Sequence, residues 1–238
     1  MVVLRVLFRV IAFLVIVLTG TTAAMLSGLF GASKRFRQGI YLAFRGALLW
    51  AFGVKVELKG EPFKEAGIIM GNHRSHMDIL FVYSNSFLVF LGKREMRSWP
   101  IFGWAARGMN SVFVDRSSKE SRRAARAELV DRIKAGLSPV VFPEGTCYAS
   151  GLGEFHPGMF YSAAEMGVPI LPWTLEFSDK RLAWVGNTKF IPHLLKILAM
   201  KPWTTYVTLG LPMRHEDGGE LLNMVREWML QHVDHGAA

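Results

Sequence analysis

The stretch Gly71-Asn-His-Arg-Ser-His-Met-Asp78 sets two histidines, an arginine and an aspartate directly after the apolar run 66–70. His73 and Asp78 stand five positions apart, which on one continuous helix would separate them by about 140°. Pairing therefore requires a fold-back. With His73 in the turn after a strand and a helix beginning near Ser75, the chain can bring Asp78 against the imidazole, and an aspartate in a first helical turn is favoured by the helix dipole. A carboxylate on one ring nitrogen fixes the tautomer and leaves the other nitrogen to take a proton from a hydroxyl. That is general-base chemistry without a protein nucleophile. His76 is the competing histidine and is expected on the surface of that helix, which makes His73 the candidate base. An ordinary polar loop capped by Asp78 would use the same residues. No metal is expected, because His73, His76 and Asp78 would still need a ligand geometry that spacing does not supply.

Two further clusters follow apolar runs. Asp115 and Arg116 come after "SVFV", where an arginine can grip a phosphate bidentately or close a strand-end salt bridge. Glu144, Gly145 and Thr146 occupy a turn fixed by Pro143, whose backbone N–H groups can hold an anion or a hydroxyl-rich headgroup. Cys147 comes next, and a cysteine hydrolase in which His73 activates this thiol is an alternative chemistry.

The elements that must position these groups are short and regular. "VKVEL", "GIIMG", "FLVFLG", "SVFVDR", "PVVFPEG", "VPILPWTLEF" and "TYVTLGL" read as strands bounded by Gly and Pro. Helical stretches lie between several of them: residues 119–135, with Ser117 or Ser118 as N-cap and Gly136 as stop, and residues 219–232. Alternating strands and helices imply an α/β domain over residues 54–238, a central mixed sheet flanked by helices, with sites in the loops beyond the strand ends.

The 238-residue chain suits one domain with an appended segment. Its single cysteine excludes an intramolecular disulfide, and its formal charge of +9 favours an anionic partner. From Met1 to Val56 there are Lys and Arg residues but no Asp or Glu, and residues 10–33 hold no charge at all. A run of about 20 apolar residues is enough for a spanning helix. Residues 1–53 are therefore expected to be membrane-embedded helices, the second covering 39–52 with Arg45 at an interface. A cleaved signal peptide is the rival reading. Acidic lipid is the expected anionic partner rather than nucleic acid, a basic non-enzymatic surface protein being the remoter alternative. Trp99, Trp104, Trp173, Trp184 and Trp203 are candidates for interface anchors or for packing.

In order, "NHRSHMD", "KREMRSWPIFG", "GMNSVFVDR", "FPEGT" and "GVPILPW" resemble the glycerolipid acyltransferase family, of which the 1-acylglycerol-3-phosphate O-acyltransferases are the best-known members. The resemblance covers roughly residues 54–177. It implies transfer of a fatty acyl group from acyl-CoA or acyl carrier protein to a lysolipid hydroxyl, with no bound cofactor, at a bacterial inner membrane with the site facing the cytoplasm. Position by position it makes His73 the base, Asp78 its partner, and Lys93, Arg116, Glu144, Gly145 and Thr146 the substrate-binding set. One departure stands out: where family members acting on lysophosphatidic acid continue "FPEGT" with arginine, this chain has Cys147. The acceptor implied is 1-acylglycerol-3-phosphate, with another lysolipid, a lysophospholipid or lyso-ornithine lipid, as the alternative that Cys147 opens.

Overall fold

The computed structural model describes residues 2–99 and 102–233. Strands β1 (Lys55–Lys59), β2 (Ile68–Gly71), β3 (Leu88–Lys93), β4 (Val112–Val114), β5 (Ser138–Val141), β6 (Ile170–Phe177) and β7 (Thr204–Leu209) form one mixed sheet in the order β1-β7-β6-β2-β5-β3-β4. All seven coincide with the Val/Ile/Phe-rich runs of the sequence. From β6 across to β4 every neighbouring pair is parallel, and β7 joins β6 antiparallel. Five parallel strands therefore deliver their C-terminal loops to one edge.

Both faces of the sheet are covered, as its near-continuous apolar strands require. The period-2 alternation of side chains assigns Ile69, Leu88, Val140 and Leu171 to one face and Ile68, Val89, Val141 and Ile170 to the other. Helices α2 (Lys34–Phe52) and α6 (Phe190–Ala199) pack on the first face, and α4 (Lys119–Lys134), α5 (Gly158–Met166) and α7 (Gly218–His232) on the second. Helix α4 starts at a Ser118 cap whose hydroxyl accepts from Ser121 N. It stops before Gly136, whose φ of +73° suits a residue without Cβ. The short α3 (Phe102–Gly108) completes the set.

Helix α1 (Val2–Leu29) lies outside this sandwich, packed along α2 and α3. Residues Val3–Leu29 form a helix long and apolar enough to cross a membrane, with a mean hydropathy of 2.4. Leu4, Leu7, Ile11, Leu14 and Leu18 are exposed on it. Helix α2 begins at Lys34, five residues ahead of the expected start. The Ser33 hydroxyl caps it by accepting from Phe36 N, so the basic turn 34–37, which breaks the apolar pattern, is helical too. Of the tryptophans weighed as interface anchors, Trp173 and Trp203 are core residues, whereas Trp104 is exposed.

One arginine ties α1 to the domain. Arg9 is 3% exposed and donates to the carbonyls of Leu198, Met200 and Phe52, the last turns of α6 and α2. A cation at two helix C-termini satisfies carbonyls that helix geometry leaves unpaired. Arg9→Met is expected to remove this clamp and cost about 2 to 4 kcal/mol, because buried carbonyls lose a charged donor. Thermal unfolding in detergent should show the loss; an unchanged melting temperature would mean that the clamp contributes nothing.

Candidate active site

The edge reached by the parallel strands gathers the polar residues singled out in the sequence: His73–Asp78 follow β2, Lys93 ends β3, Arg116 follows β4 and Glu144–Cys147 follow β5. Lys93 pairs in register with Val114, which sets it beside the Asp115-Arg116 turn. This is where open α/β sheets place ligands.

His73 Nδ1 lies 2.7 Å from Asp78 Oδ2. The fold-back differs in form from the expected helix at Ser75: a single 3-10 turn, Asp78–Phe81, begins three residues later. Its cause is the Asp78 carboxylate, which is fully buried and accepts from the backbone N–H of Arg74 at 2.6 Å and of Ser75 at 2.9 Å. Those two donors hold residues 74–75 in a loop and aim the remaining lone-pair direction at the imidazole. The ring also stacks on Phe142, centroids 4.1 Å apart and planes within 12°. Its position and plane are thus fixed from two sides. Among the described residues Nε2 has no hydrogen-bond partner, and the side chain remains 14% exposed.

Glu144 binds inward. Its Oε2 accepts from His73 N at 2.6 Å and its Oε1 from Gly153 N at 2.8 Å. Burial pushes its carboxyl above the ordinary carboxylate range, while the two N–H groups pull it back. The residue thereby ties the loop after β5 to the loop after β2. Tyr148 N donates to His73 O at 2.9 Å, a second tie between the same loops. Gly145, at φ +68°, turns the chain where a Cβ would meet His156 Nε2 at 2.9 Å.

Sequence reasoning passed over a third tie. Arg74, 1% exposed, reaches Glu176 at 2.5 Å, Gly151 O at 2.9 Å and Tyr148 O at 3.4 Å. Asn72 joins the same acid at 3.4 Å and exchanges two hydrogen bonds with Leu175. An acidic residue inside the otherwise apolar strand "ILPWTLEF" was the available signal, since a buried carboxylate needs a cation.

His76 is not the surface residue expected of it. It points away from Asp78 into a ring cluster, edge-on to Trp184, Phe190 and His193 at centroid distances of 4.9 to 5.3 Å. Burial lowers its pKa from 6.5 to about 3, with His193 and His73 adding repulsion. Among the described residues neither of its ring nitrogens has a hydrogen-bond partner.

The cationic side of the site surrounds Cys147. Arg116, half-buried, donates to Gly145 O. Burial raises the Cys147 thiol far above its ordinary value, with Asp78 and Glu144 reinforcing the shift and Arg116 and Lys93 opposing it. These four charged groups therefore all act on the one thiol. It stays protonated, the wrong form for a nucleophile. Thr146 is exposed beside it. Asp115 bonds Ser117 and faces Arg94 at 3.5 Å, the strand-end salt bridge considered above, but with a different arginine. Among the described residues no group of three or more His, Cys, Asp or Glu is placed to hold a metal ion.

The acyltransferase family model matches residues 54–176 of this chain. A lyso-ornithine lipid O-acyltransferase of Pseudomonas aeruginosa is 28% identical over 199 residues, 80% of this chain and 77% of that protein. A 1-acyl-sn-glycerol-3-phosphate acyltransferase of Neisseria gonorrhoeae is 28% identical over 167 residues, 67% of this chain and 64% of that protein. In fold, the chain superposes on the crystal structure of the 1-acyl-sn-glycerophosphate acyltransferase PlsC from Thermotoga maritima with a TM-score of 0.72 at 22% identity, covering 97% of this chain and 95% of that one.

The buried His76 generates a pH prediction. Its folded pKa of about 3 lies below the unfolded value of 6.5, so its contribution is intact above pH 6.5 and is lost as pH falls through that window. His76→Phe should flatten the decline of melting temperature between pH 6.5 and 4, with little change at pH 8. An equal decline in both proteins would show that His76 protonates as readily folded as unfolded.

Proposed function

Because the chain belongs to the acyltransferase family, matching its model over more than half of its length, we propose that it transfers a fatty acyl group from an acyl thioester, acyl-CoA or acyl-ACP, to a hydroxyl of a lysolipid at a membrane. The observation that carries this reading is the His73–Asp78 pair, 2.7 Å apart, with Nε2 facing outward at the sheet edge. His73 Nε2 takes the proton of the acceptor hydroxyl as its oxygen attacks the thioester carbonyl. The C–S bond then breaks and the thiolate leaves with that proton, returned by the imidazolium. Asp78 holds Nδ1–H and stabilises the transient positive charge, as carboxylate–histidine pairs do.

The same reading places α1 in the bilayer, with α2 beside it at the interface and the sheet edge facing the lipid, on the cytoplasmic side of a bacterial inner membrane. Residues 1–53 would then act as the anchor and residues 54–238 as the catalytic domain. Lys93 and Arg116 supply the positive charge for an acceptor headgroup, Thr146 a hydroxyl at its rim, and Glu144 with Gly145 the rigid turn on which these stand. A nucleophilic Cys147 is disfavoured by its raised pKa, and Cys147→Ser should remain active.

Two acceptors divide the reading: 1-acylglycerol-3-phosphate and lyso-ornithine lipid. Cys147 favours a headgroup other than a phosphate monoester, because the cation that would otherwise stand there is missing. The similarity to a lyso-ornithine lipid O-acyltransferase over 80% of the chain points the same way.

Two outcomes check this. His73→Ala should lose transfer by roughly 10² to 10⁴-fold while keeping its melting temperature, and His76→Phe should retain transfer; the reverse pattern in a labelled acyl-transfer assay would identify His76 as the base. Comparing kcat/KM for lysophosphatidic acid and lyso-ornithine lipid should show native protein favouring the latter. Cys147→Arg should shift the ratio toward the phosphate acceptor by roughly tenfold to a hundredfold, the effect of one charge-assisted hydrogen bond. A native preference for lysophosphatidic acid that Cys147→Arg leaves unchanged would assign the phosphate acceptor instead.

A further inference from the structure

A second basic feature lies on the same sheet edge, away from the His73 loop. A surface cavity of about 560 Å³ opens where Ser178 and Asp179 leave β6 and Trp203 leads into β7. Because β7 runs antiparallel to β6, with Phe177 opposite Thr205, both segments stand at the edge that carries the dyad. Trp184 N, a few residues beyond Asp179, donates to Arg74 O at 2.8 Å and ties this wall to the catalytic loop.

The lining is strongly cationic. Arg5 from α1, Arg181 after β6, and Lys196 and Lys201 around the end of α6 surround one acid, Asp179, which Arg181 already grips at 2.5 Å. Among the described residues neither Lys196 nor Lys201 lies within ion-pair distance of an acid, although Lys196 still acts on the Asp179 carboxyl from farther away. Arg5 donates to Ala199 O at 3.2 Å, but among the described residues its buried Nε meets no partner. No residue of the catalytic cluster takes part, so the acceptor site does not account for these charges.

The two helices that meet here add apolar surface. Helix α1 exposes Leu4 and Phe8, and α6 exposes Ile191 and Leu195. A soluble phosphate compound would match the cations but leave these side chains in water. A bilayer matches both, with hydrocarbon for the leucines and phosphate for the lysines at the boundary just above. We propose that this cavity seats the phosphate headgroup of an anionic membrane phospholipid that is not the acyl acceptor, with the outer face of α6 as a contact to the bilayer in addition to α1. The inference rests on the membrane reading above. It gives the sheet edge two lipid contacts, one at the reacting hydroxyl and one that sets the height and tilt of the domain.

Full-length protein is tested by flotation with vesicles of phosphatidylcholine alone and of phosphatidylcholine with 30% phosphatidylglycerol, at constant ionic strength. Native protein should prefer the anionic vesicles. Lys196→Gln/Lys201→Gln should lose roughly tenfold to thirtyfold of that preference, Lys196→Arg/Lys201→Arg should keep it, and Lys119→Gln/Arg123→Gln on α4, an equal charge removal on the opposite face of the sheet, should leave it nearly intact. Equal losses for the α4 and cavity variants would mean diffuse charge attraction and overturn the site. Release of native protein from anionic vesicles by millimolar glycerol 3-phosphate would assign the cavity to soluble phosphate esters and overturn the lipid. Native protein binding neither vesicle would sink the membrane reading itself, whereas binding both equally with no effect of the cavity variant would sink only this inference.

Discussion

A single buried carboxylate sets the geometry of the sheet edge that carries the candidate site. Asp78 is fully enclosed and meets two backbone N–H groups and one imidazole nitrogen. The directions of those donors dictate the path of residues 73–78. The loop cannot relax into a regular helix without breaking them. His73 is therefore held by hydrogen bonds that belong to the fold itself, so a proton transfer at its Nε2 would need little reorganisation.

The surrounding structure keeps this loop from moving as a body. Glu144 joins it to the β5 loop through His73 N, and Arg74 joins it to Glu176 on β6 and to the carbonyls of 148 and 151. Those strands flank β2 on either side, so the loop is braced from both neighbours. Gly71, at the base of the loop, lies against the Trp173 indole so closely that a Cβ would meet Trp173 Cε2 at 2.4 Å. Close approach of β2 and β6 at that point is what lets Asn72 and Arg74 reach the Glu176 carboxylate. Helix α1 is held to the same edge by Arg9, whose three carbonyl partners belong to α2 and to the end of α6.

Much of this was legible in the chain itself. All seven strands follow from short apolar runs bounded by Gly and Pro, and the fold-back that a His73–Asp78 pair needs could be named from a spacing that no straight helix satisfies. The cap at Ser118 and the stop at Gly136 carry their own chemistry. What could not be read locally depends on partners far away in sequence. Arg74 and Glu176 are 102 residues apart, and nothing near either one announces the other. His76 looked like a surface residue because its ring neighbours Phe190 and His193 come from a helix that folds over it from the far end of the chain. The inward aim of Glu144 was hidden for the same reason: its partners, His73 and Gly153, belong to loops that only the sheet brings together.

The central claim is that Asp78 orients His73 and stabilises the imidazolium that proton transfer creates, and single-turnover acyl transfer by native and Asp78→Asn protein in the same membrane preparation tests it most directly. The amide keeps the size of the side chain but removes the charge that stabilises the imidazolium. The account expects a folded Asp78→Asn protein, with an unchanged acyl-donor Kd, that transfers at least roughly a hundredfold more slowly. A folded Asp78→Asn protein transferring at the native rate would contradict it.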